Sequence, residues 1–244
     1  MTFQSLTILA VVPARGGSKS IPRKNLRVVG GTSLIGHAAD ICHQLDWIDV
    51  AVISTDDEEI AQEATRRGLE CPFLRPPELS DDTALSIDAW RHALLASEEH
   101  FRRQFDVTIL LEPTSPLRMA ADVERTVAAV VDGKWQAAAT VSPTSPSYTP
   151  HKTLVRSDDG SLDFYLDGGG QYSIRQRIPD YYHRNGICYA LHRESLLDPD
   201  NRYIVDRHCC AVVIDRPLVN IDEPFDLELA EWLMARQGQK EMLT

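Results

Sequence analysis

The chain of 244 residues has no surplus of positive charge: 25 Lys and Arg stand against 36 Asp and Glu, a formal net charge of −11. This argues against general affinity for nucleic acid or anionic membranes, because such binding is carried by cationic surface spread over the molecule. Cysteine is scarce and unpatterned. Cys42, Cys71, Cys188, Cys209 and Cys210 form an odd set without CxxC spacing, so neither a disulfide framework nor a zinc ribbon is indicated, and reduced thiols in a cytoplasm are expected. The eight histidines are scattered without HExxH spacing, which leaves a His-based metal site unsupported. Long apolar runs are missing as well. The run from Ile8 to Val12 is too short for a signal peptide or a membrane span, and no charged segment precedes it, so a cytoplasmic protein is the expectation. The most informative absence is local. No Asp or Glu occurs before Asp40, while Arg15, Lys19, Arg23, Lys24 and Arg27 all fall in that leading segment. A solvated face would mix both signs, so this basic stretch points to a site for something anionic.

What is present is a repeating alternation. Thr7 to Val12 (TILAVV) is apolar and β-branched and reads as a buried strand feeding a loop at Pro13. Thr32 or Ser33 can cap a helix to about Gln44. Asp49 to Ser54 is a second strand, and Thr55 or Asp56 then caps DDEEIAQEATRRG, with acids in its first turn, bases in its last and Gly68 beyond. A helical pattern spans residues 83 to 104, Asp106 to Leu111 is another buried strand, Met119 to Val131 is helical, and Ala137 to Val141 is strand. Strands alternating with helices imply an α/β fold, a mainly parallel sheet with helices on both faces, in which ligands sit at the carboxyl ends of the strands. From Ser142 the texture changes: SPTSPSYTPHK and the segment 158–182 are rich in turn residues, so residues 143–184 read as an excursion of β-hairpins within one domain spanning 1–244. Ile187 to Leu191 and Ala211 to Ile214 are again strand-like, and an amphipathic helix from about Glu223 to Arg236 closes the chain.

The basic stretch is PARGGSKSIPRKN, residues 13–25, directly after the first strand. It fits neither GxxxxGK[ST], which needs glycine just before lysine, nor GxGxxG, which needs spaced glycines opening a helix. A Gly16-Gly17 pair can still turn backbone N–H groups toward an oxyanion, while Lys19 and Lys24 supply point charges and Arg15 a forked donor. That chemistry suits a triphosphate.

The same stretch resembles the nucleotide loop of the CMP-sialic acid synthetase (acylneuraminate cytidylyltransferase) family, and further blocks agree: STDDEEIA (54–61), DDTALSID (81–88), LEPTSPLR (111–118), NGICYAL (185–191) and IDEPFDLELAE (221–231). The resemblance spans nearly the whole chain. It implies a nucleotidyltransferase-type, Rossmann-like fold that joins CMP from CTP to a small acidic acceptor, needs a divalent metal such as Mg²⁺ and releases pyrophosphate, in a homodimer whose hairpin excursion is exchanged between subunits. Ala14, Arg15, Gly16, Lys24, Asn25 and Ser86 match the family's nucleotide contacts, with Arg15, Lys19 and Lys24 as the catalytic cations. Displacement at the α-phosphate needs the leaving pyrophosphate neutralised, and a Lys/Arg clamp does so by preorganised charge. Asn25 equally suits the cap of a turn, and Ser86 an ordinary first-turn helix position.

Asp222 resembles a metal-binding aspartate, and as Asp before Glu-Pro it is also a good helix N-cap. The family's second aspartate, two residues earlier, is here Asn220, which offers magnesium a neutral oxygen and no charge. Lys152, Arg175 and Tyr189 resemble acceptor-binding residues, the cations pairing with a carboxylate, and each equally suits a solvated hairpin position. Glu112 departs from the family, whose sialic acid users carry glutamine there; ionised glutamate cannot donate and repels a carboxylate. A nonulosonic acid (sialic, legionaminic or pseudaminic) is the leading acceptor, a small phosphonate the alternative, and a nucleotide-binding regulator without catalysis the third reading.

Overall fold

The structure, a computed structural model, describes residues 3, 6–133, 135–172, 174–205 and 208–241. These separate into two compact units, residues 1–140, 185–212 and 217–244 forming the first, and 141–184 with 213–216 the second.

The first unit is built on strands β1 (Ile8–Pro13), β4 (Val50–Ser54) and β5 (Val107–Leu110), with β1 paired in parallel to both others. Between β1 and β4 lie a two-stranded hairpin, β2 (Val28–Val29) with β3 (Thr32–Ser33), and helix α1 (Leu34–Gln44). Helices α2 (Glu58–Arg66) and α3 (Ser86–Phe101) follow β4, and α4 (Ala120–Val131) follows β5. Strands β6 (Ala137–Pro143), β9 (Tyr182–His192) and β10 (Cys209–Val213) complete a six-stranded sheet ordered β10-β6-β9-β5-β1-β4. Strand β9 is antiparallel to β5, pairing Leu110 with Tyr189; side-chain periodicity cannot reveal strand direction. A short helix α5 (Arg193–Leu197) and the terminal α6 (Pro224–Glu241) close the unit.

Strand β1 shows why its sequence is apolar at every position. Ile8, Ala10 and Val12 face a core completed by Ile35 of α1, Ile60 of α2 and Val127 of α4, whereas Leu9 and Val11 face Trp90 and Leu94 of α3. A strand covered by helices on both faces has no solvent side to make polar. The buried Trp90 indole N–H keeps a partner, the Thr108 hydroxyl at 2.9 Å. Helix entry is set by side-chain caps. Ser33 accepts from the Gly36 amide as expected, but the cap of α2 is Asp57, one residue beyond the expected Thr55 or Asp56, accepting from Glu59 and Ile60. Thr55 instead receives the Asp57 amide, and the Asp56 carboxylate turns toward the basic loop. Helix α3 is shorter than its pattern and starts at Ser86, because Asp81 ties residues 83 and 84 into a turn.

In the second unit β7 (Leu154–Arg156) and β8 (Leu162–Phe164) form an antiparallel hairpin. The five cysteines are free thiols. Among the described residues no helix is long and apolar enough to cross a membrane.

Candidate active site

Because β1, β4 and β5 are parallel, the loops leaving their carboxyl ends share one edge of the sheet, and the chain passes from β1 to opposite sides of it: a topological switch point, where α/β sheets bind ligands. The basic loop leaves β1 there. Ala14 is buried, its amide bonded to the Ser54 carbonyl at 2.9 Å, and Ile21 is buried against Leu34, Ile221 and Leu233. Burying one isoleucine contributes roughly 2 kcal/mol, enough to pin a loop whose other side chains reach into solvent. Gly16 is required by close approach: a Cβ there would lie 2.7 Å from the Asp57 carboxylate, while a Cβ on Gly17 would meet nothing. The Gly16 amide, expected to face an oxyanion, donates to Asp56 at 2.9 Å.

Every cation of the loop meets a carboxylate. Arg15 pairs with Asp82 at 3.0 Å and also donates to the Asp81 carbonyl at 2.9 Å, and Lys19 contacts the same Asp82. Hydrogen bonds from Lys19 and then Arg15 hold the Asp82 carboxyl below the usual range, against slight desolvation. Arg23 adopts a left-handed backbone (φ 57°), which costs a non-glycine residue about 1 kcal/mol, and pairs with Asp57 and Glu59. Lys24 donates to the Ile221 carbonyl at 2.9 Å and to Asp222 at 3.0 Å. Asn25 is buried and donates to the Arg15 carbonyl at 3.1 Å, bracing the loop from within.

Asp222 is exposed at the entrance to α6, and its carboxylate faces Lys24. The capping bonds run the other way from expectation: Asp226 accepts from the amides of Asp222 and Glu223, both at 2.8 Å. Asp222 is therefore spared the capping task. Asn220 is exposed two residues before it. Among the described residues no group of three or more His, Cys, Asp or Glu side chains is arranged to hold a metal ion.

Ser86, at the start of α3, lines a pocket of about 230 Å³ together with Arg15, Asp81, Asp82 and Arg75. Arg75 is a site residue that sequence reasoning missed. It is buried, donates to the Ser54 hydroxyl at 3.0 Å and to the Ser54 carbonyl, and its amide bonds the Thr55 carbonyl at 2.7 Å. Desolvation pulls its pKa down to about 10, Asp56 opposing and Arg15 adding to the shift; the guanidinium is cationic at neutral pH. The only sequence signal was an arginine before two prolines in an otherwise apolar segment.

The loop after β5 carries Glu112, half-buried, beside the β9 turn at Asn185 and Gly186. Gly186 has φ +69°, and a Cβ there would stand 2.3 Å from the Glu112 carboxylate, so glycine is needed both for the backbone and for the space. The Glu112 amide bonds the Gly186 carbonyl at 3.3 Å. Tyr189 is paired with Leu110 and buried in the core on the α3 side. The first unit thus gathers Ala14, Arg15, Gly16, Lys19, Lys24, Asn25 and Asp222 around one loop, with Ser86 in the adjoining pocket and Glu112 in the loop after β5, whereas the Tyr189 side chain on β9 is buried in the core. Lys152 and Arg175 belong to the second unit. There Lys152 is half-buried, and Arg175 lines a pocket of about 190 Å³ with Thr144, Asp180 and Tyr181.

Residues 9–235 match a family model described as Cytidylyltransferase. The chain is 31% identical over 232 residues to Post-translational flagellin modification protein B of Campylobacter coli, covering 95% of this chain and 96% of that protein. It is 29% identical over 229 residues to CMP-N,N'-diacetyllegionaminic acid synthase of Campylobacter jejuni, covering 93% and 95%. Among solved structures, CMP:2-keto-3-deoxy-manno-octonic acid synthetase complexed with CTP superposes with a TM-score of 0.70 over 95% of this chain and 99% of that one. At 19% identity that likeness shows the fold, a mixed, mostly parallel sheet with helices.

Proposed function

The chain belongs to the cytidylyltransferase family, and from that premise we propose that it transfers CMP from CTP to a nonulosonic acid, releasing pyrophosphate. The observation that carries the reading is the basic loop at the carboxyl end of β1, the middle strand of the parallel trio, with the Glu112 loop leaving the neighbouring strand β5. Arg15, Lys19 and Lys24 bind and neutralise the triphosphate; Arg75, Ser86 and the pocket they share take the nucleoside side. An acceptor hydroxyl oxygen attacks the α-phosphorus in line, its proton passes to solvent, and the bond to the β-phosphate breaks with its electron pair on the leaving pyrophosphate. The cations are fixed by Asn25, Ile21 and the Ile221 carbonyl before the reaction, so little reorganisation is needed as charge develops.

Magnesium fits the donor set in a limited way. Mg²⁺ keeps several waters and binds through one or two carboxylates plus substrate phosphates, and Asp222, freed from capping by Asp226, is one such carboxylate. Asp222, with the neutral oxygen of Asn220, would hold the ion, which supplies Lewis-acid charge to the phosphates when bound.

The name of the relative that makes CMP-N,N'-diacetyllegionaminic acid favours a nonulosonic acceptor over a small phosphonate. In the first unit Glu112 and Tyr189 are the proposed acceptor residues; Lys152 and Arg175 of the second unit are, each by itself, proposed to pair with a carboxylate. A second copy of the chain is the proposed partner, supported by apolar side chains left exposed in the second unit, Tyr148 (80%), Leu162 (65%) and Tyr165 (64%) among them. A cytoplasmic setting agrees with the free thiols. Pyrophosphate release tests the reaction: with Mg²⁺ and a panel of nonulosonic acids, CTP is expected to support turnover far above ATP, GTP or UTP. Equal release with all four nucleotides, or release with phosphonates alone, would overturn the assignment.

A further inference from the structure

The guanidinium of Arg118 has no part in the roles above, yet it is among the most deeply buried charges of the chain. It donates through Nε to the Ile187 carbonyl and through Nη2 to the carbonyls of Glu112 at 2.6 Å and Gly186 at 3.1 Å. One side chain thus joins two segments far apart in sequence, the loop after β5 and the turn that opens the inner part of β9. Burial pushes its pKa below the ordinary arginine value, with Cys188, Cys42, Glu112 and Asp122 acting in the opposite sense. A buried charge is weak support for stability, since an apolar side chain of similar volume often serves folding as well. What arginine adds is a set of directed donors, and here all that are bonded point at main-chain carbonyls flanking the Glu112 carboxylate.

The surrounding contacts converge on the same place. Ser115 donates to the Asn185 carbonyl at 2.7 Å, and the Asn185 side chain accepts the Ile187 amide at 3.2 Å. Gly186, in its left-handed conformation, leaves open the space that the Glu112 carboxylate and the Ser115 hydroxyl occupy. We propose that Arg118 is the positioning residue of the acceptor half-site: it locks the Glu112 backbone to the Gly186 turn, so that the Glu112 carboxylate lies across Gly186 in a single orientation toward the acceptor. The inference rests on the reading of Glu112 as acceptor-facing. It assigns Arg118 no contact with substrate, and the Arg118 side-chain hydrogen bonds run to the Glu112 loop and the β9 turn.

The test is a double-mutant cycle read separately for the two substrates. Arg118→Met should raise the acceptor KM about tenfold and leave the CTP KM within about twofold, with Arg118→Lys, which can reach fewer of the carbonyls, in between. In a Glu112→Ala background Arg118→Met should add little to the acceptor KM, because a residue that acts through another loses its effect when that other is gone. Acceptor and CTP constants rising together, with additive effects, would overturn the proposal in favour of a merely structural arginine. Should Arg118→Met fail to fold, Gly186→Ala carries the question. Its Cβ must displace the Glu112 carboxylate or the Ser115 hydroxyl while the Arg118 side chain is retained, and an unchanged acceptor KM would overturn the proposal. Wild-type enzyme that releases no pyrophosphate with any nonulosonic acid would sink the proposed reaction instead. The inference is then read from amide exchange across residues 185–187, expected to quicken in Arg118→Lys; unchanged exchange refutes it.

Discussion

Lys24→Ala separates two roles that the structure gives to a single ammonium. The Lys24 side chain is only 15% exposed, and its Nζ ties the basic loop to the segment leading into α6 through the Ile221 carbonyl and Asp222. Asp222 is 70% exposed, so the ion pair is strongly screened and contributes at most about 1 kcal/mol. The bond to the Ile221 carbonyl is better shielded and adds roughly 1 kcal/mol. Losing both, at most about 2 kcal/mol, should lower the melting temperature by up to about 4–8 °C, at roughly 2–4 °C per kcal/mol for a chain of this size. The kinetic effect should be larger. One preorganised charged donor on transferring phosphates is worth about 3 kcal/mol, a loss of roughly two orders of magnitude in kcat/KM. Pyrophosphate release is to be measured at saturating acceptor while CTP is varied, with a melting curve on the same preparation. A variant that melts lower but keeps kcat/KM within about threefold of wild type would refute the catalytic role and leave Lys24 as a tie between loop and helix.

Three further substitutions probe neighbouring claims. Glu112→Gln should raise the kcat/KM ratio of ordinary sialic acid to the native acceptor, because the amide can donate where the carboxylate repels; a ratio that does not move makes Glu112 structural. Asp82→Asn removes the carboxylate that Arg15 and Lys19 share, so a triphosphate no longer has to displace it and the KM for CTP should fall; a rise would show that Asp82 orients the two cations rather than competing for them. Glu63→Gln addresses stability: burial alone would raise the Glu63 pKa, but hydrogen bonds from Ser33 and Arg67 outweigh it and hold the folded value below the ordinary one. A depressed carboxylate pKa gives stability that is present above the unfolded value and is lost as pH falls through the folded one. The variant should thus be less stable than wild type at pH 7, the gap closing below about pH 4, and a urea-denaturation deficit that stays constant with pH would contradict this.

The layout of the parallel core was legible because strands buried on both faces read as near-continuous apolar runs, and β1, β4 and β5 do, with Ser54 and Thr108 as buried polar exceptions. The direction of β9 was not, since side-chain alternation is the same in either sense. The basic loop was legible from charge segregation, and its cations do gather at the strand ends. Their acidic partners, Asp82, Asp57 and Asp222, lie 34 or more residues away, and no local pattern encodes such pairings. Arg75 and Arg118 escaped for a related reason. Each read as a loop residue, and each is buried only because carbonyls from another segment receive its donors. The cap of α2 shifted by one residue because Thr55 and Asp57 can both cap, and the choice depended on where Asp56 was drawn.

The pairing of every loop cation with a carboxylate bears on how quickly substrate arrives. CTP and an acidic acceptor both approach as anions, toward a chain whose formal charge is −11. With Arg15 and Lys19 on Asp82, Arg23 on Asp57 and Lys24 on Asp222, the loop projects little positive field beyond its own surface, and at long range the encounter is governed by repulsion. Salt slows most charge-guided associations; here, as the screening length shrinks toward about 8 Å near physiological ionic strength, it should first speed the capture of CTP and slow it only when the contacts inside the loop are themselves screened. The association rate constant would then pass through a maximum with ionic strength, a shape that a loop of free, outward-facing cations would not produce.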